Sequence, residues 1–204
     1  MDYLYDGPAR ARTRLILAHG AGAAMDTPFM NHIAEGVAAA GIRVVRFEFP
    51  YMAARRSHGT RRGPDRAAVL TETWQRAVTD HQHAGRLFVG GKSMGGRYAS
   101  MICDDAQVDG LVCLGYPFHA PGKPDKPRVE HLATLKTPGL IIQGTRDSMG
   151  KPEDVEAYTL AKRIKVSWIE DGDHSLKPTK RSGRTHPQAL DEAVAAVTGF
   201  IGKP

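Results

Sequence analysis

The chain is expected to fold as an α/β domain: a mostly parallel sheet of about six strands with helices on both faces. Three observations predict this. Apolar segments alternate with helix-period segments along all 204 residues. The strand-like segments are continuous apolar runs, as strands buried on both faces require. His19-Gly20, Ser93, Asp147 and His174 each follow such a run, at the carboxyl end where parallel sheets hold their ligands. No internal repeat, low-complexity tract or linker interrupts the pattern, so residues 1–204 read as one domain.

Residues 1–13 are polar and mixed, with room for a short edge strand. Arg14 to His19 is the first apolar run. Thr27-Pro28 then reads as an N-cap and first helical position. Phe29, Ile33 and Val37 recur at helical spacing, and Gly41 closes that helix. Ile42 to Phe49 is the next strand, stopped by Pro50. Residues 50–63 read as an arginine-rich loop. Pro64 opens a helix with Leu70, Trp74, Ala77 and Val78 on one face. The central strand runs from Leu87 into Gly90-Gly91, and a helix covers Gly95 to Cys103. Leu111 to Tyr116 and Gly139 to Gln143 are further buried strands, separated by a proline-punctuated loop with a short helix near 128–135. Pro152 opens a helix to about Lys162, Lys165 to Glu170 is the last strand, and Leu190, Val194, Val197 and Ile201 mark the final helix.

Lys and Arg number 28 against 22 Asp and Glu, a net charge of +6. Such a balance raises nucleic-acid binding. The excess falls in loops, however, not along a helix face or between aromatic residues, so a nucleic-acid partner is not expected. No apolar run is long enough to span a bilayer. Met1 to Asp6 lacks a basic stretch followed by an apolar one, so no secretory signal is read. Cys103 and Cys113 fall in a helix and a buried strand, which fits free thiols in a reducing cytoplasm. No Cys/His spacing resembles a zinc site, and no cofactor is expected.

The chemistry is expected around Gly91-Lys92-Ser93-Met94-Gly95. A Gly-x-Ser-x-Gly pattern between strand and helix sets its serine on a strained turn, with the hydroxyl clear of the backbone. The flanking glycines let strand and helix approach closely. A serine hydroxyl is a poor nucleophile at neutral pH and needs a base. Among nine histidines, His174 follows the last strand in a Gly-Asp-His-Ser turn and is the candidate. His19 reads better as a loop-shaping residue, and His119 as a rim residue facing the pocket. The imidazole needs a carboxylate to hold its tautomer. Asp147, behind Gly144 at a strand end, is preferred over Asp171 and Asp173, which sit too close to His174 and read as turn formers. Two backbone N–H groups must meet the developing oxyanion. Met94 supplies one, and Ala21, in His19-Gly20-Ala21-Gly22, the other. Lys92 reads as packing its stem under the turn.

With Ser93, Asp147 and His174 in that order, the chain resembles the α/β-hydrolase superfamily, more narrowly the small lidless bacterial hydrolases grouped with dienelactone hydrolases. Gly-Gly-Lys-Ser-Met-Gly-Gly-Arg at 90–97, Tyr116-Pro117-Phe118-His119 and Gln143-Gly144-Thr145-Arg146-Asp147 also resemble the hydrolase-like domain of an animal histone-acetyltransferase complex subunit. The resemblance runs from about residue 14 to the end. It implies the α/β-hydrolase fold without the N-terminal antiparallel hairpin and without a cap, since only Pro117 to Pro138 occupies the place where lids enter. Dienelactone hydrolases use a cysteine where this chain has Ser93, so lactone specificity is not implied. The animal relative is an interaction subunit, which keeps a non-catalytic module open as the alternative.

Arg55, Arg56, Arg61, Arg62 and Arg66, with Lys123, Lys126 and Arg128 and with Lys177, Lys180, Arg181 and Arg184, fall on three loops expected around one end of the sheet. Such a ring would steer an anionic substrate, with Arg61 and Arg62 as the substrate-binding candidates, although solvated loops also tolerate charge. The expected activity is hydrolysis of small carboxylic esters or thioesters through an acyl-serine. The expected partner is a small-molecule acyl substrate. So small a shell leaves little pocket wall, which leaves room for a second subunit of a homo-oligomer.

Overall fold

The computed structural model describes residues 1–59 and 62–203. Seven strands, in chain order β1 (Tyr3–Asp6), β2 (Thr13–Ala18), β3 (Arg43–Phe47), β4 (Arg86–Lys92), β5 (Gly110–Leu114), β6 (Gly139–Gly144) and β7 (Ile164–Ile169), form one sheet. Their order across it is β1-β3-β2-β4-β5-β6-β7. All neighbours are parallel except β1, which pairs antiparallel with β3. The count exceeds the expected six because the polar Tyr3–Asp6 segment pairs at the edge, where one face can stay wet. This single strand stands where the resemblance implied that the antiparallel segment was missing.

Among the described residues, six helices cover the sheet: α1 (Pro28–Ala39), α2 (Pro50–His58), α3 (Ala67–His81), α4 (Met94–Ile102), α5 (Pro152–Glu156) and α6 (His186–Ile201). Alternate strand residues feed two cores. Ile16, Val45, Phe47, Val89 and Leu111 pack with Leu70, Trp74 and Ala77 of α3 and Ala99 of α4. Leu15, Leu17, Val44, Val112 and Ile142 pack with Ile33 and Val37 of α1 and Ala193 and Val197 of α6. Each large side chain buried in this way contributes about 1.5–3 kcal/mol. Cys103, capping α4, and Cys113 on β5 are buried free thiols, and the Cys113 thiol donates to the Gly96 carbonyl.

Three elements differ from expectation. Residues 50–58 are helical, because Pro50 occupies the first helical position, where its missing N–H costs nothing. The next helix begins at Ala67, three residues after Pro64. α5 stops at Glu156 because the following chain turns to pair with the segment after β5, the Ala161 N–H donating to the Leu132 carbonyl at 2.9 Å. The connection from β5 to β6 carries only a 3₁₀ turn at Glu130–Thr134, so no cap covers the carboxyl end of the sheet. Among the described residues, no helix is long and apolar enough to cross a membrane.

Candidate active site

The turn after β4 packs tightly against the end of β2. A Cβ added at Gly91 or at Gly95 would run into the Ala18 carbonyl at the end of β2. Only glycine at both positions lets α4 start directly over the neighbouring strand. Ser93 between them is held at φ 51° and ψ −114°, a conformation that L-residues rarely adopt. Its N–H donates to the Leu114 carbonyl at 3.0 Å, which fixes the turn against β5. From α3, the Trp74 indole donates to the Gly95 carbonyl at 3.2 Å and meets Phe47 edge-on at 4.8 Å.

The structure brings Ser93, His174 and Asp147 into one hydrogen-bonded chain. Ser93 Oγ lies 2.8 Å from His174 Nε2, and His174 Nδ1 lies 2.7 Å from Asp147 Oδ2. Asp147 is fully buried, whereas the His174 side chain is 26% exposed, so the imidazole can meet solutes. Asp147 also accepts from Gln143 Nε2 at 2.8 Å and from the Met149 N–H at 2.9 Å. With both oxygens bonded, the carboxylate has one orientation. The imidazole then carries its proton on Nδ1 and presents a bare Nε2 to the hydroxyl.

Gln143 is the residue that sequence reasoning passed over. Its amide is buried and fully used, accepting from the Tyr116 N–H at 2.8 Å and donating to the Tyr116 and Gly150 carbonyls at 3.2 Å each. The only signal was a polar residue inside an otherwise apolar strand. Asp171 and Asp173 build the loop that carries His174. Asp173 accepts from the Ser175 and Lys177 N–H groups, and Asp171 from Thr179 while pairing with Arg146 at 2.8 Å.

The loop after β2 is held from below. His19 is buried, and burial lowers its pKa, so the ring stays neutral. It donates from Nδ1 to the Gly20 carbonyl at 2.7 Å and accepts at Nε2 from the Phe49 N–H at 3.1 Å. The Tyr51 hydroxyl donates to the Ala21 carbonyl at 2.8 Å. These bonds draw the loop's carbonyls inward. Among the described residues, the N–H groups of Ala21 and Met94 have no hydrogen-bond acceptor. Met94 follows Ser93 in the chain, and a Cβ added at Gly20, the residue before Ala21, would lie 3.7 Å from the Ser93 Cβ.

The remaining sequence candidates lie elsewhere. His119 is not a rim residue: it is 2% exposed, and it faces Asp154 at 3.3 Å and the Ala120 carbonyl at 2.8 Å. Arg62 is bound to Asp65 at 3.2 Å, and Asp65 in turn accepts from the Tyr51 N–H that begins α2. Arg56 pairs with both Asp26 and Glu48. Residues 50–58 of the arginine-rich segment are thus helical, and the charges of Arg56 and Arg62 are taken up by acidic partners. Arg61 lies outside the described residues. Among the described residues, no three His, Cys, Asp or Glu side chains are arranged to hold a metal ion.

The family model described as alpha/beta hydrolase domain matches residues 11–202. Among solved structures, a dienelactone hydrolase from Anabaena variabilis superposes with a TM-score of 0.70 at 20% identity, covering 97% of this chain and 88% of that one. An α/β serine hydrolase without lid from Xanthomonas campestris gives 0.64 at 20% identity, covering 96% and 88%. The thioesterase domain from the curacin biosynthetic pathway gives 0.66 at 12% identity, covering 98% and 93%.

Proposed function

Since the chain belongs to the alpha/beta hydrolase domain family, we propose that it is a serine hydrolase cleaving small carboxylic esters or thioesters through an acyl-Ser93 intermediate. The observation that carries this is the unbroken chain from Ser93 Oγ through the His174 ring to buried Asp147. His174 Nε2 takes the Ser93 proton as Oγ bonds to the acyl carbon, and the carbonyl electrons move onto oxygen between the Met94 and Ala21 N–H groups. The tetrahedral species collapses, the leaving alcohol or thiol departs with the proton from His174, and the acyl group stays on Ser93. Water then gives a proton to His174 as it attacks the acyl carbon; the second tetrahedral species collapses, His174 returns that proton to Ser93 Oγ, and the acid is released. Asp147 stabilises the imidazolium in both halves and keeps its own charge.

The partly exposed imidazole and the uncapped sheet favour small, accessible substrates. A thiol or alcohol leaving group suits the site equally, and the similarity to both a dienelactone hydrolase and a thioesterase domain supports keeping both classes. The test is a fluorophosphonate probe followed by a panel of p-nitrophenyl esters and acyl-CoA thioesters. Labelling at Ser93, absent in Ser93→Ala, is expected. Ser93→Ala or His174→Ala should lower kcat by about 10⁶-fold, and Asp147→Asn by about 10⁴-fold. Folded wild-type protein that is never labelled would point instead to a non-catalytic interaction module.

A further inference from the structure

Lys92 stands immediately before Ser93, and its side chain has no part in the reaction just described. Its ammonium reaches across to the loop after β7 and donates to the carbonyl of His174 at 2.6 Å. Around that ammonium lie the Phe29 ring, with its centroid 5.7 Å away, and the backbone of Gly115. Beside it opens a cavity of about 250 Å³ lined by Thr27, Phe29, Ser175 and His186. The ionisable groups around it are His186 from α6, His174 itself, and Asp147 and Asp173, the two carboxylates whose charge acts on it. Burial outweighs both carboxylates and lowers the ammonium to about 8.

We propose that Lys92 is a positioning residue for His174: its ammonium, bonded to the histidine's own carbonyl, holds the imidazole within reach of Ser93 Oγ. The bond joins the residue beside the serine to the backbone of the base, so the 2.8 Å contact between serine and imidazole is set by a direct tie and not only by the loop. A charged donor holds a carbonyl more strongly than a neutral amine does. The tie is therefore tight below about pH 8 and slackens as Lys92 loses its proton above it. The inference rests on the serine-hydrolase reading.

The experiment compares wild type and Lys92→Met by fluorophosphonate labelling and p-nitrophenyl acetate hydrolysis from pH 6 to 10. Removing the tie should lower kcat by about 10–100-fold, the scale of a misplaced catalytic group, with KM nearly unchanged. Wild type should lose rate as pH rises through about 8, and the variant should lack that alkaline fall. A purely structural role would not erase a step in the pH profile. Should Lys92→Met fail to fold, the Lys92 ¹³Cε shift of wild type is titrated beside kcat, and the two midpoints should coincide. A variant labelled at the wild-type rate, an alkaline fall that survives in the variant, or a wild-type rate that stays flat while Lys92 titrates overturns the proposal. Folded wild type that is not labelled at any pH overturns the serine-hydrolase reading instead.

Discussion

Ser93 sits at φ 51° with a side chain that disfavours it, a conformation costing about 1–3 kcal/mol. Alanine at this position keeps the Cβ and hence the strain, whereas glycine removes both. Ser93→Gly should therefore be about 1 kcal/mol more stable than Ser93→Ala, with both inactive. Urea unfolding of the pair checks this, and equal midpoints would show that the turn is unstrained. Asp147 presents the opposite case, a charge buried at no visible strain. Three donors reach its two oxygens, and Gln143 ties one of them to the backbone at Tyr116 and Gly150. The Ser-Asp-His order could be read in the chain because each residue ends an apolar run. Gln143 could not, because its partners come from two other segments and a lone amide in a strand carries no local signature.

At the scale of elements, α2 matters to the site through one hydroxyl. Asp65 fixes the first turn of α2 by accepting the Tyr51 N–H at 2.8 Å, and Tyr51 passes that order on to the Ala21 carbonyl. Tyr51→Phe should lower kcat about 10-fold by letting the Ala21 N–H drift from the oxyanion position proposed for it, while costing about 1 kcal/mol of stability. An unchanged kcat would remove Ala21 from that position. The helix itself was hidden in the sequence. Proline ends a strand as readily as it starts a helix, and the arginines look like a solvated loop until Asp26 and Glu48 are seen beside Arg56 and Asp65 beside Arg62. The long apolar strands and α1, with its Thr27-Pro28 start, were legible because their signals are local. The rim placement of His119 failed for the converse reason: burial against Asp154 is decided by packing across the molecule, not by the residues next to it.

The molecule as a whole should respond to acid through its buried imidazoles. Burial lowers the pKa of His19 and of His131 below the ordinary 6.5. As pH falls below about 6.5 the unfolded chain takes up protons that the folded one refuses, so the unfolded state is favoured and stability drops. Tm should therefore fall between pH 7.5 and 5, and His131→Gln should reduce that slope; parallel curves would show that His131 is not held neutral. The buried thiols give the same molecule a clock. Cys113 lies under the Ser93 turn and Cys103 at the far end of the helix that leaves it, and burial raises the pKa of both. A thiol reagent can reach neither until the layer above has opened. The rate at which each cysteine is modified thus reads out how often that end of α4 parts from the sheet, without any dye or mutation being introduced.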